Sequence, residues 1–177
     1  MTRHSAFAPL VDADTRALIL GSLPGEASLA AAQYYAHPRN LFWHLTGMAI
    51  GRELRSLDYI QRIAALSAAG VGLWDTLASA QRQGSLDAAI RDGEAADLVR
   101  LAGELPNLRA IAFNGRKAAE IGRRQLAGTP LALIDLPSSS PAYAALPLAE
   151  KERRWAGLRE FLGDALPIPR PVRMEDA

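Results

Sequence analysis

Residues 32–43 read AQYYAHPRNLFW, and four of the chain's eleven aromatic side chains fall between Tyr34 and Trp43. His37, Arg39 and Asn40 lie among them, so the segment is too polar for plain core and too aromatic for a plain connection. Aromatic faces stack on planar rings, and an amide, an imidazole and a guanidinium beside them offer hydrogen bonds. Four other polar stretches follow apolar runs. GSLPGEASL (21–29) combines Gly21, Pro24 and Gly25, which force a sharp exit and let backbone approach a ligand. It lacks the Gly-Lys-Ser/Thr of a P-loop and the G-x-G-x-x-G of a dinucleotide turn. VGLW (71–74) leads into Asp75 and Thr76. FNGRKAAEIGRR (113–124) places Arg116 and Lys117 in the first turn of a helix, which reads either as a phosphate seat or as an exposed basic face. LPSSSPAYA (136–144) holds Ser138, Ser139 and Ser140 between Pro137 and Pro141, either a preorganised set of donors or simply a rigid loop.

Several chemistries are excluded or disfavoured. With no cysteine there is no disulfide, thiolate zinc site, cysteine-ligated cluster or thiol nucleophile. The three histidines, His4, His37 and His44, show neither HxH nor HxxxH spacing, so no metal is expected. Ser22 and His37 can be imagined as a hydrolase pair, but no G-x-S-x-G elbow surrounds Ser22. Net charge is only +1, yet 18 of the 20 basic residues are arginine, so local patches matter more than the global field.

These segments need elements to position them. ALILG (17–21), VGLW (71–74), RAIAFN (109–114) and LALIDL (131–136) read as four strands punctuated by Gly, Asp or Asn. Helical periodicity is expected over 53–69, over 86–105 with a break near Gly93, over 116–126 and over 148–162. The alternation predicts one α/β domain, 1–166, with a parallel sheet between helices, and a Pro-rich tail, 167–177. In such sheets the ligand lies beyond the carboxyl ends of the strands, where all four polar stretches fall. No apolar run reaches membrane-spanning length and the N-terminus lacks a secretory h-region, so a cytoplasmic protein is expected.

GSLPG, QYYAHPRNLFW, VGLWDTL, FNGRKA and LPSSSPA occur in the order and approximate spacing of the uracil-DNA glycosylase superfamily. They most resemble its sixth family, the hypoxanthine-DNA glycosylases. The resemblance spans about Leu18 to Phe161. It implies a three-layer α/β/α sandwich with a short four-stranded parallel sheet, and a monofunctional enzyme of base excision repair. Such an enzyme flips a deaminated base out of double- or single-stranded DNA and hydrolyses its N-glycosidic bond, needing no cofactor and acting as a monomer. Leu23 stands where the mismatch-specific uracil and thymine glycosylases carry a catalytic Asn, and Leu136 opens the last motif, where the related uracil enzymes place a His. The resemblance therefore moves the catalytic amide to Asn40 and the stacking ring to Tyr35. Gly21, Ser22, Asp75 and Asn114 become base-binding candidates. Ser138, Ser139, Ser140, Arg116 and Lys117 become DNA-binding candidates. The alternatives are a relative acting mainly on uracil or xanthine, or a nucleic-acid-binding relative without catalysis.

Overall fold

The computed structural model describes residues 2–163, so the tail 167–177 lies outside the described residues. In chain order the elements are β1 (Thr2–Ser5), β2 (Ala17–Gly21), α1 (Glu26–Ala31), α2 (Phe42–Ile50), α3 (Tyr59–Ala68), β3 (Val71–Asp75) and β4 (Leu77–Arg82). A 3-10 turn (Asp87–Ala89) precedes β5 (Arg91–Ala95), α4 (Leu98–Glu104), β6 (Ala110–Asn114), α5 (Arg116–Leu126), β7 (Ala132–Leu136), α6 (Leu148–Ala156) and α7 (Arg159–Leu162).

The four expected strands form one parallel sheet in the order β3-β2-β6-β7. All five residues of β2 are buried, as a strand covered on both faces requires. Their side chains alternate between two cores. Ala17 and Ile19 join Val71, Leu73 and Ala112 beneath Phe42, Leu45, Leu66, Trp155 and Leu158 of α2, α3 and the C-terminal helices. Leu18 and Leu20 join Ile111 and Phe113 beneath Leu98, Leu101, Ala118 and Leu126 of α4 and α5. Two cores on opposite faces of one sheet give the three-layer sandwich.

The helices differ from expectation, each for a local reason. The third begins at Tyr59, not Glu53, because Asp58 and Gln61 form a capping box there. Residues upstream are held as turns, with the Glu53 carboxylate accepting from the Arg55 and Ser56 amides. The expected helix over 148–162 is divided into α6 and α7 around Gly157. The largest correction concerns 86–105. Only α4 is α-helical there, beside the single 3-10 turn at Asp87–Ala89; Arg91–Ala95 is a strand that pairs with β4, and β4 pairs in turn with β1. This second, antiparallel sheet, β1-β4-β5, stands beside the carboxyl edge of the first. Only Thr76 separates the end of β3 from the start of β4.

Candidate active site at the carboxyl edge of the parallel sheet

Strand register brings the polar segments together. Gly21 lies opposite Asp75, Leu20 opposite both Trp74 and Phe113, and Asn114 opposite Leu136. The four strand ends therefore form one shelf, and the segment 32–43 lies against it.

Tyr35 links that segment to the shelf. Its ring stacks on Phe42, with centroids 3.7 Å apart and planes 8° from parallel. Its hydroxyl accepts from Asn114 Nδ2 at 3.3 Å. Phe42 is wholly buried against Trp43 and Trp155, which fixes the ring beneath Tyr35. Tyr35 also adopts a left-handed backbone conformation, φ 51°, unusual for a residue with a large side chain. The Trp43 indole donates to the Tyr35 carbonyl at 3.0 Å and helps hold that conformation.

Asn114 is fully engaged. Besides Tyr35, its Nδ2 donates to Ser139 Oγ at 2.9 Å, and its Oδ1 accepts from the Ser139 amide at 2.9 Å. The Ser139 carbonyl accepts from the Leu41 amide at 2.9 Å. One chain of hydrogen bonds thus joins Tyr35, β6, the serine loop and the residue after Asn40. Asn40 stands two residues before α2, and its Oδ1 accepts from the Phe42 amide at 2.9 Å, so its NH2 group takes no part in that turn. Burial and the field of Asp75 raise the Tyr35 phenol above its ordinary range, so it is neutral and can donate.

Asp75 is 4% exposed. Its Oδ2 has no hydrogen-bond partner among the described residues, nor does Thr76 Oγ1 beside it. Burial pushes the Asp75 carboxyl up to about 7; the Arg82 guanidinium opposes this and Asp87 adds to it. Gly21 is required by this crowding. A Cβ there would lie 2.8 Å from Asp75 Oδ1 and 3.3 Å from the Tyr35 hydroxyl.

The loop after β2 is braced from the antiparallel sheet. The Gly21 and Ser22 carbonyls accept from the Thr76 and Leu77 amides. Arg82, 1% exposed, donates to the Leu23 and Pro24 carbonyls. Ser85 Oγ accepts from the Glu26 amide, and the Ser22 hydroxyl donates to Asp87. Sequence reading missed Arg82 and Asp87. The turn signal Gly84-Ser85 marks a hairpin, but the polar strand RDGEA carries no apolar alternation to announce its partner.

The imagined Ser22–His37 pair is not assembled. Ser22 is spent on Asp87, while exposed His37 accepts from the Arg39 amide through Nδ1. The other histidines are equally separate: His4 lies in β1, and His44 pairs with Glu152 at 2.8 Å. Among the described residues, no three His, Cys, Asp or Glu side chains gather as a metal site.

Of the DNA-binding candidates, Ser139 is buried in the network just described, while Ser138 and Ser140 are partly exposed. Gly115 opens α5 with φ 97°, and a Cβ on it would meet Ser138 Cβ at 3.2 Å, so the basic helix start and the serine loop are adjacent. Arg116 is exposed and Lys117 partly so. Lys151 is buried, 3% exposed, and donates to the Tyr143 carbonyl, fastening the serine loop to α6.

At one edge of a parallel α/β sandwich the chain gathers an aromatic platform and a buried carboxyl, groups suited to holding a planar, hydrogen-bonding ring. Residues 8–159 match the family described as the uracil DNA glycosylase superfamily, and the chain belongs to that superfamily. It is a DNA glycosylase, and DNA is its substrate. Among its relatives is the protein named hypoxanthine DNA glycosylase of Methanosarcina barkeri. The two are 42% identical over 118 residues, covering 67% of this chain and 75% of the relative. The protein of the same name from Methanosarcina acetivorans is 43% identical over 136 residues, 77% of this chain and 85% of the relative. The solution NMR structure of a candidate uracil DNA glycosylase from Methanosarcina acetivorans superposes with a TM-score of 0.82 at 38% identity. It covers 90% of this chain and 99% of that one. No helix among the described residues is long and apolar enough to cross a membrane.

Proposed function

We propose that this glycosylase removes hypoxanthine from DNA, acting as a monofunctional, monomeric enzyme on double- or single-stranded substrate. The relatives that are 42% and 43% identical to it over the aligned residues carry that name. The observation that carries the site assignment is the placement of Tyr35: stacked on Phe42, bonded to Asn114, with its hydroxyl beside Gly21 and Asp75.

Extrusion costs a few kcal/mol of stacking and pairing, least for a poorly paired base. The Tyr35 face opposite Phe42 replaces the lost stack, and base–aromatic stacking returns about 1–3 kcal/mol. Asp75 reads the base edge, Asn114 holds Tyr35 and the serine loop in place, and Gly21 and Ser22 form the wall through which backbone approaches. Cleavage breaks the bond between the sugar C1′ and the base nitrogen, and the bonding electrons leave on the purine. Water adds to the oxocarbenium-like C1′ and gives up a proton, so the products are the neutral base and an abasic sugar. The Asn40 amide orients that water, and an amide does so without the cost of a buried charge. Ser138 and Ser140 hold the strand from one side, on a loop pinned by buried Ser139, and Arg116 and Lys117 hold it from the helix start beside them. Lys151 is tied to the Tyr143 carbonyl and Lys117 belongs to α5, so neither is posed to form a Schiff base.

The test uses duplexes with a single hypoxanthine, uracil or xanthine, followed by alkali to break abasic sites. Strand scission is expected foremost at hypoxanthine. No scission on any duplex would sink the reading.

A further inference from the structure

We propose that Asp75 engages the extruded base as a neutral carboxylic acid, donating to the carbonyl and accepting from the adjacent ring N–H of a lactam edge. This deepens the base-reading role given to Asp75 above and rests on it.

Asp75 closes β3 on the shelf, directly opposite Gly21, and only a glycine there leaves room for its Oδ1. Its carboxyl is buried, and Oδ2 meets no donor among the described residues. A buried carboxylate needs a counter-ion or several donors to remain charged. The cation that acts on it is Arg82 of β4, whose two terminal nitrogens donate to the Leu23 and Pro24 carbonyls and whose Nε meets no acceptor among the described residues, Asp75 included. Asp87, in the turn before β5, is a second acid and opposes ionisation, while Tyr34 and Tyr35, after α1, are neutral phenols that supply no counter-charge. The same burial pushes the carboxyl up to about 7, so the acid form is well populated at neutral pH.

A protonated carboxyl carries a donor and an acceptor side by side. Hypoxanthine presents the complement, a ring N–H next to a carbonyl, and uracil and xanthine do the same. The donor does more than bind. As the glycosidic bond breaks, the electrons that leave on the purine spread onto its carbonyl oxygen. A hydrogen bond to that oxygen is therefore stronger in the transition state than in the bound substrate. An ionised Asp75 would face the same oxygen with a negative charge and raise the barrier.

The acid form is lost as pH rises through the carboxyl's midpoint, and single-turnover cleavage of hypoxanthine in DNA then falls about tenfold per pH unit. Asp75→Asn offers a donor and an acceptor without a titration, so its cleavage, at whatever level it runs, shows no such fall. Any ionisation of the substrate's own N–H appears equally in this variant. Asp75→Leu offers neither group and is slow at every pH, while its affinity for DNA containing an abasic analogue matches the wild type across the same range.

A flat or rising wild-type profile through neutral and mildly alkaline pH would overturn the proposal. So would an Asp75→Asn profile with the same fall. Normal cleavage by Asp75→Leu would overturn the base-reading role itself, a different failure from an altered pH profile.

Discussion

Tyr35 lies flat on Phe42, 3.7 Å from ring centre to ring centre, and its hydroxyl reaches the Asn114 amide of the neighbouring strand end. One face of the ring is occupied by the core and its edge is fixed by β6. Tyr35→Ala is therefore expected to slow single-turnover cleavage by about 10- to 100-fold, the worth of one base–aromatic stack. The loss should be greater for a well-paired lesion than for a mismatched one, because the former must be unpaired at higher cost. Equal losses on both would remove the stacking role. Tyr35→Phe keeps the platform and should lose much less.

Asn40 has two tasks that substitutions can separate. Its Oδ1 accepts from the Phe42 amide at the start of α2, a local turn that an aspartate can also make. Asn40→Asp should keep its melting temperature, since the half-buried position can solvate a carboxylate, while cleavage falls about 100-fold through loss of the amide donors that help fix the water. Asn40→Ala should lose cleavage and about 1 kcal/mol of stability together, since the helix start loses its acceptor. Undiminished cleavage by Asn40→Ala, with binding of lesion-bearing DNA intact, would exclude Asn40 as the catalytic amide.

Gly21→Ala places a methyl group 2.8 Å from Asp75 Oδ1. Either the carboxyl or the loop must move. Stability should fall by about 1–3 kcal/mol. Cleavage should fall by about 10-fold or more, because sub-ångström displacement of a reading group is costly. Wild-type kinetics in this variant would show that the pocket does not need the close approach.

Asp75 also predicts how stability varies with pH. Its carboxyl is raised from 3.8 to about 7 on folding. Between those values the unfolded chain releases the proton and the folded protein keeps it, so folding stability declines as pH rises across that window and levels off above it. Asp75→Asn removes the penalty. Its melting temperature should exceed the wild type's most clearly at about pH 8 and least at about pH 4. A stabilisation that does not change with pH would mean the carboxyl titrates alike in both states.

Arg82 holds the Leu23 and Pro24 carbonyls from beneath. Replacing it with Met removes two charge-assisted hydrogen bonds but also a buried charge, so global stability should shift by no more than about 2 kcal/mol. Cleavage should suffer more than stability does, as the loop after β2 loses its brace. If cleavage falls only in proportion to the folded fraction, the brace has no bearing on the site.

Much of the architecture is legible in the sequence because the parallel strands are short apolar runs ended by turn residues. ALILG coincides with β2 and the helix over 116–126 with α5. The antiparallel sheet is a different case. β5 is RDGEA, exposed throughout, and is specified by backbone pairing with β4 and not by any pattern of its own. The helix expected there fits the leucine spacing, but Asp92 adopts φ 49° and the backbone extends. Tyr35, Asp75, Asn114 and Gly21 could be singled out because each closes a strand or stands in the aromatic segment. Their mutual contacts could not. Nor could the buried state of Arg82, since an arginine in LASAQRQG reads as surface.

The pairing of β1 with β4 joins Thr2–Ser5 to residues about eighty positions away. β4 carries Arg82, and Arg82 carries the loop after β2, the wall proposed above for the base pocket. An opening that begins with release of β1 therefore passes through β4 and reaches Leu23 and Pro24 before the parallel core is disturbed. Slowly exchanging amides in β2 and β6 should outlast those of β4 under native conditions, the two sheets behaving as separate cooperative units. The rim of the pocket would then share its opening free energy with the N-terminal strand, not with the strands on which the base-reading residues stand.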